Sequence, residues 1–123
     1  NYTPIFKTGF ADKNEFPFEN GWLINANEQL SNSTFRSVKA ITVNKVSDSE
    51  LQKKQFLKAF NADIETMEGA ALHYVCLQEK ISFLQIRSVS NHVGERDKTK
   101  WKMKQAIEDL NKHLAKLINR LIK

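Results

Sequence analysis

Three side chains of this 123-residue chain stand where their chemistry could serve a bound small molecule: Glu68, Ser90 and Asn91. Glu68 lies in DIETMEGAA, residues 63–71, between a strand-like run and a helix opened by small residues. A carboxylate there accepts two hydrogen bonds at once, the match for a vicinal diol such as the 2′- and 3′-hydroxyls of a ribose. The same position also suits a glutamate that only complements a helix dipole. Ser90-Asn91 ends the next strand-like run. An asparagine amide carries a donor and an acceptor in one plane, which suits the edge of a flat base. Ser-Asn is equally ordinary turn chemistry. Taken singly, each residue is better explained by the structural role. Two polar sites at the ends of apolar elements are nevertheless what a small-ligand pocket in an α/β sheet requires.

Other chemistries lack their residues. The four glycines, Gly9, Gly21, Gly69 and Gly94, form no phosphate-binding loop. His73, His92 and His113 are scattered without metal-ligand spacing, so neither a metal nor a cofactor is expected. Cys76 is the single cysteine, which excludes an internal disulfide. It falls mid-helix on an apolar face, as a core thiol in a reducing, cytoplasmic compartment would.

The elements that must position these residues follow from periodicity. Residues 1–20 hold both prolines and Phe6, Phe10, Phe16 and Phe18 without a period. They read as a long aromatic loop that is either functional or the cover of a core edge. Residues 39–44 (KAITVN) are β-branched and read as a strand. Ser47 and Glu50 fit a capping box opening a helix to about Phe60, which would bury Leu51, Phe56, Leu57 and Phe60 and end at Asn61. Residues 63–67 read as a strand, 68–79 as a helix, and 81–89 (ISFLQIRSV) as an apolar strand. Residues 101–122 form an amphipathic helix about 30 Å long, with Ile107, Leu110, Leu114, Leu117, Ile118 and Leu121 on one face.

Strands alternating with helices give an α/β class, with a mixed, mainly parallel central sheet flanked by helices and a long C-terminal helix. Three strands make a thin sheet, and the last helix leaves apolar surface uncovered. Further strands are therefore expected outside this chain, which opens on Asn1 rather than Met.

The composition, 41% hydrophobic and 27% charged, is that of an ordinary globular domain. No run is long enough to span a membrane. The net charge of +5 invites a nucleic-acid partner, but the excess sits in residues 98–123. Lysines on the solvent face of the last helix account for it, and no nucleic-acid or membrane partner is expected.

Taken together, Met67-Glu68-Gly69-Ala70-Ala71 and Ile86-Arg87-Ser88-Val89-Ser90-Asn91 resemble two motifs of the purine nucleoside phosphorylase/nucleosidase superfamily. The first resembles its ribose-binding Met-Glu motif, the second a strand ending in base-recognising Ser-Asp or Ser-Asn. The similarity spans at least residues 42–122. Within the superfamily the chain most resembles the futalosine hydrolases, on residues 42–44, 67–71 and 91–101. That resemblance implies hydrolysis of the N-glycosidic bond of futalosine, releasing hypoxanthine in a route to menaquinone. It makes residues 1–123 the C-terminal part of one nucleosidase domain, with its N-terminal strands and its water-activating carboxylate outside the chain. The isolated chain is then expected to be inactive, and the enzyme a homo-oligomer acting on a small nucleoside.

By the same resemblance Glu68 and Met67 bind the sugar, Asn91 and Ser90 act on the leaving base, and Val46 and Ser47 supply main-chain contacts to the base. The aromatic that often stacks on the base has no clear counterpart here. Arg87 aligns with a family arginine and reads as the partner of a buried carboxylate. Asn91 stands where related nucleosidases carry Asp. Its amide NH₂ can donate to the N7/O6 edge of a 6-oxopurine, and a carboxylate cannot. Three alternatives stay open: a phosphorylase or a methylthioadenosine/adenosylhomocysteine nucleosidase of the same fold, a non-catalytic dimerisation fragment, and a basic nucleic-acid-binding helix.

Overall fold

A computed structural model describes residues 3–31 and 34–123. After a 3-10 turn at Ile5–Lys7 come α1 (Glu28–Ser31), β1 (Ala40–Thr42), α2 (Glu50–Phe60), β2 (Ile64–Thr66) and α3 (Gly69–Gln78). A second 3-10 turn at Lys98–Lys100 then leads into α4 (Met103–Leu121). β1 and β2 pair in parallel, Ala40 opposite Ile64 and Thr42 opposite Thr66. Parallel neighbours need a crossover, and α2 provides it. The chain is thus an α/β fold with a parallel sheet, flanking helices and a long C-terminal helix.

Asp63 fixes the register of the pair. Its carboxylate accepts from the Lys39 N–H at 2.9 Å and from Arg36 Nη2 at 2.7 Å. The Lys39 carbonyl in turn accepts from the N–H groups of Asp63 and Ile64. One further backbone bond, Val43 N–H to the Thr66 carbonyl, carries the pairing past the end of β1.

Three expectations change. The helix cap is Ser49, whose hydroxyl accepts from the Gln52 N–H, and not Ser47, whose hydroxyl is engaged elsewhere. Leu51 and Leu57 point outward, and α2 buries Phe56 alone. Its end is as expected, with Asn61 left-handed at φ 47° and its N–H on the Leu57 carbonyl. Residues 81–89 form no strand, because an apolar, β-branched run becomes one only beside a partner. Their backbone finds none among the described residues. Side chains hold the run instead: Asn25 Nδ2 donates to the Phe83 carbonyl, and Asn27 Nδ2 to Ser82 Oγ.

The core is small. Phe18, Phe56, Cys76 and Ala106 are its buried apolar side chains among the described residues. Phe18 meets Phe6 edge-on at 5.0 Å and Tyr74 of α3 at 5.7 Å. Half of the aromatic loop is therefore core cover, while Phe10 and Phe16 stay exposed. α4 begins at Met103 rather than 101; it buries Ala106 and, as expected, leaves apolar side chains of its stripe exposed, Ile107, Leu114, Ile118 and Leu121 among them. No helix among the described residues is long and apolar enough to cross a membrane.

Candidate active site

Because β1 and β2 run parallel, both chains leave the sheet at the same edge. From β1 the chain passes into residues 43–49, and from β2 through Met67-Glu68 into α3. Two threonines at the strand ends satisfy the start of α3. Thr42 Oγ1 accepts from the Ala70 N–H at 2.9 Å, and Thr66 Oγ1 from the Gly69 N–H at 3.3 Å. The two hydroxyls lie 2.9 Å apart, and Thr66 donates on to the Ile41 carbonyl. The first N–H groups of a helix need such partners, and here the strands supply them.

That frees Glu68. It occupies the N-cap position of α3, yet its side chain makes no capping bond. Its carboxylate is exposed, and no hydrogen bond or ion pair to a described residue engages it. Met67 beside it is also exposed.

The Ser90-Asn91 pair is ordered differently. Ser90 Oγ donates to Asn91 Oδ1 at 2.7 Å, and Asn91 Nδ2 donates to the His92 carbonyl at 3.1 Å. The amide oxygen thereby accepts one bond, and one of its two N–H bonds has no partner among the described residues. The Ser90 carbonyl accepts from the Lys102 N–H at 2.8 Å, which ties the pair to the approach of α4. The turn that follows reaches the start of α2, where a Cβ on Gly94 would sit 3.5 Å from Glu50 Oε1. No hydrogen bond links Glu68 to Asn91. A cavity of about 160 Å³ lies between α2 and the sheet, lined by Ile41, Phe56, Ile64, Glu65 and His92 among others, and it contains neither residue.

Ser47 is fully buried. Its N–H donates to Glu65 Oε1 at 2.9 Å and its hydroxyl to Glu65 Oε2 at 2.5 Å. Its own donors are therefore spent on the protein, and Val46, half-buried, precedes it in the same loop. Glu65 was not singled out from the sequence. A charged residue at the centre of a strand, three positions before the suspected Glu68, was the available signal.

Arg87 does not meet a carboxylate among the described residues. It is exposed and donates through Nε and Nη2 to Gln85 Oε1, at 3.2 and 2.9 Å. Gln85 Nε2 donates in turn to the Gly69 carbonyl at 2.7 Å and lies 2.6 Å from His73 Nδ1. His73 also packs edge-on against Phe83 at 4.7 Å. Burial lowers its pKa below the ordinary 6.5, and the charge of Arg87 pushes the same way against a hydrogen bond to the Gly69 carbonyl. The imidazole is thus neutral at pH 7, a structural tie between α3 and residues 81–89. No cluster of His, Cys, Asp and Glu among the described residues could hold a metal ion.

Futalosine hydrolase of Thermus thermophilus is 31% identical over 78 residues, which is 63% of this chain and 35% of that enzyme. The aligned stretch thus spans about a third of that relative's length. No solved structure matches the chain. The model of the family described as the Phosphorylase superfamily matches residues 1–123, and the chain belongs to that superfamily.

Proposed function

We propose that the whole protein hydrolyses the N-glycosidic bond of a 6-oxopurine ribonucleoside, futalosine, releasing hypoxanthine and dehypoxanthine futalosine. The observation that carries this reading is the unengaged Glu68 carboxylate at the carboxyl edge of a parallel sheet. A sheet edge of that kind is where α/β folds take ligands. Likeness to a futalosine hydrolase supports the choice of substrate.

In this mechanism Glu68 accepts from the 2′- and 3′-hydroxyls, and Met67 packs against the sugar. The bond between sugar carbon and purine nitrogen breaks with its electron pair going to the base. The sugar acquires oxocarbenium character and is captured by water. The free N–H of Asn91 stabilises charge developing on the base edge, which is leaving-group stabilisation by a positioned donor. Ser90 keeps the amide in that sense by occupying its oxygen. Asn91 holds no proton to give. The base departs as an anion delocalised onto its 6-oxygen and takes its proton from solvent. Main-chain groups of Val46 and Ser47 contact the base. The carboxylate that activates water comes from outside residues 1–123, and the working enzyme is a homo-oligomer. Neither a cofactor nor a metal takes part.

The purified whole protein should release hypoxanthine from futalosine at a rate independent of phosphate. A rate that requires phosphate would make the reaction phosphorolysis. Cleavage of adenosine or methylthioadenosine in preference to futalosine would overturn the substrate. Release of no base from any purine nucleoside would overturn the enzymatic reading itself.

A further inference from the structure

We infer that Glu65 is a positioning residue for the base-contacting loop, a role that rests on the nucleosidase reading above. The geometry is a two-point clamp. Glu65 stands at the centre of β2, opposite Ile41, and lines the cavity between α2 and the sheet. A carboxylate placed there loses water and needs compensating donors. Both come from one residue, the N–H and the hydroxyl of Ser47, 18 positions earlier. Ser47 is the one fully buried side chain among the described residues. The clamp therefore pins the middle of the loop between β1 and α2 back onto β2.

The consequence for a ligand lies in the peptide plane. In a trans peptide the N–H and the preceding carbonyl point in opposite directions. With the Ser47 N–H fixed on Glu65, the Val46 carbonyl points away from the Glu65 carboxylate as an acceptor. Such an acceptor suits the N1–H of a 6-oxopurine. It does not suit the bare N1 of a 6-aminopurine. Asn91 donates to the other side of the same base edge, so donor and acceptor are divided between two loops. Glu65 touches no ligand; it acts through Ser47.

Glu65→Met in the whole protein keeps the side chain's length and removes both acceptors. It should raise the KM for futalosine roughly tenfold or more, with kcat changed less, since the loss of hydrogen-bond geometry acts on base binding. It should also narrow the preference for 6-oxo- over 6-aminopurine nucleosides. Glu65→Gln is the rescue: its amide oxygen accepts from the Ser47 N–H while its NH₂ donates to the hydroxyl. It should return KM to within about threefold of the starting value. Ser47→Ala breaks one arm only and should fall between the two. If Glu65→Met does not fold, the order of KM values from wild type through Glu65→Gln to Ser47→Ala still decides. Unchanged KM and unchanged base preference in Ser47→Ala and in any folded Glu65→Met would overturn the positioning role. A wild-type protein that cleaves no purine nucleoside would instead overturn the reading beneath it. Exchange of the Ser47 amide hydrogen, slow in wild type and fast in Glu65→Met, reads the clamp itself in either event.

Discussion

A carboxylate that no protein donor engages keeps both oxygens for a ligand, and its hydration is given up only when that ligand arrives. Among the described residues Glu68 is such a group, because Thr42 and Thr66 have taken over the capping of α3. In the proposed mechanism its contribution to a bound ribose is two charge-assisted bonds. Glu68→Gln turns one acceptor into a donor, and kcat/KM on ribonucleosides should fall by roughly 10²–10³-fold. The same substitution should matter far less for a 2′-deoxynucleoside, which has already lost one of the hydroxyls. Equal losses on both substrates would argue that Glu68 does not read the diol. In the proposed mechanism Asn91 answers to the base instead. Asn91→Asp replaces a donor by an acceptor facing N7 and O6, both acceptors. The ratio of rates on 6-oxo- and 6-aminopurine nucleosides should move toward the amino compounds by at least about tenfold, one hydrogen bond's worth of discrimination. An unmoved ratio would remove Asn91 from base reading.

Between the elements, contacts at Gly69 decide how α3 sits on its neighbours. A Cβ there would lie 2.8 Å from Thr66 Oγ1 and 3.3 Å from Arg87 Nη2. Gly69→Ala meets overpacking that costs about 1–3 kcal/mol, and at the first position of α3 it gains less helix propensity than the roughly 1 kcal/mol of a helix interior. A lowered melting temperature of the whole protein is expected, and a raised one would show that the contacts relax. The tie through His73 adds a pH dependence. Its folded pKa lies below the ordinary 6.5, so the unfolded chain binds its proton first as pH falls. The stability this group contributes is complete above about pH 6.5 and is lost as pH drops from there toward the lowered folded value. Urea midpoints measured from pH 8 to pH 5 should decline, and His73→Gln should flatten this part of the decline. These ties also mark the limit of the sequence. Helix and strand positions from residue 39 to 79 were readable because their periods are local, as were Asn61 as a helix end and the parallel order of β1 and β2. The strand expected over residues 81–89 was not, because pairing depends on a neighbour that composition does not reveal. Ser47 was misread as a cap because its actual partner lies 18 residues away. Glu68 and Ser90-Asn91 stand out in the sequence as polar ends of apolar runs, while Glu65 does not, because its contact with Ser47 joins residues 18 positions apart.

Over the whole molecule, surface area carries a prediction of its own. A compact protein of 14.2 kDa exposes about 6,800 Å², and this chain exposes 9705 Å². Large apolar side chains contribute to that exposed surface. On α4, Ile107, Ile118 and Leu121 stand open, and on α3 so do Leu72 and Val75. At about 25 cal/mol per Å², burying even 1,000 Å² of such surface would contribute roughly 25 kcal/mol before ordering costs. That exceeds the net stability of about 5–15 kcal/mol typical of a domain. Residues 1–123 alone therefore fold against an unmet hydrophobic requirement. Expressed alone, they should bind the dye ANS strongly and unfold without a sharp transition, whereas the whole protein should do neither. Sedimentation separates the ways of meeting that requirement: a compact dimer would mean that a second copy covers the face, and a dye-binding monomer that further polypeptide must. A monomer of residues 1–123 that melts cooperatively and binds no ANS would show that α3 and α4 need no cover.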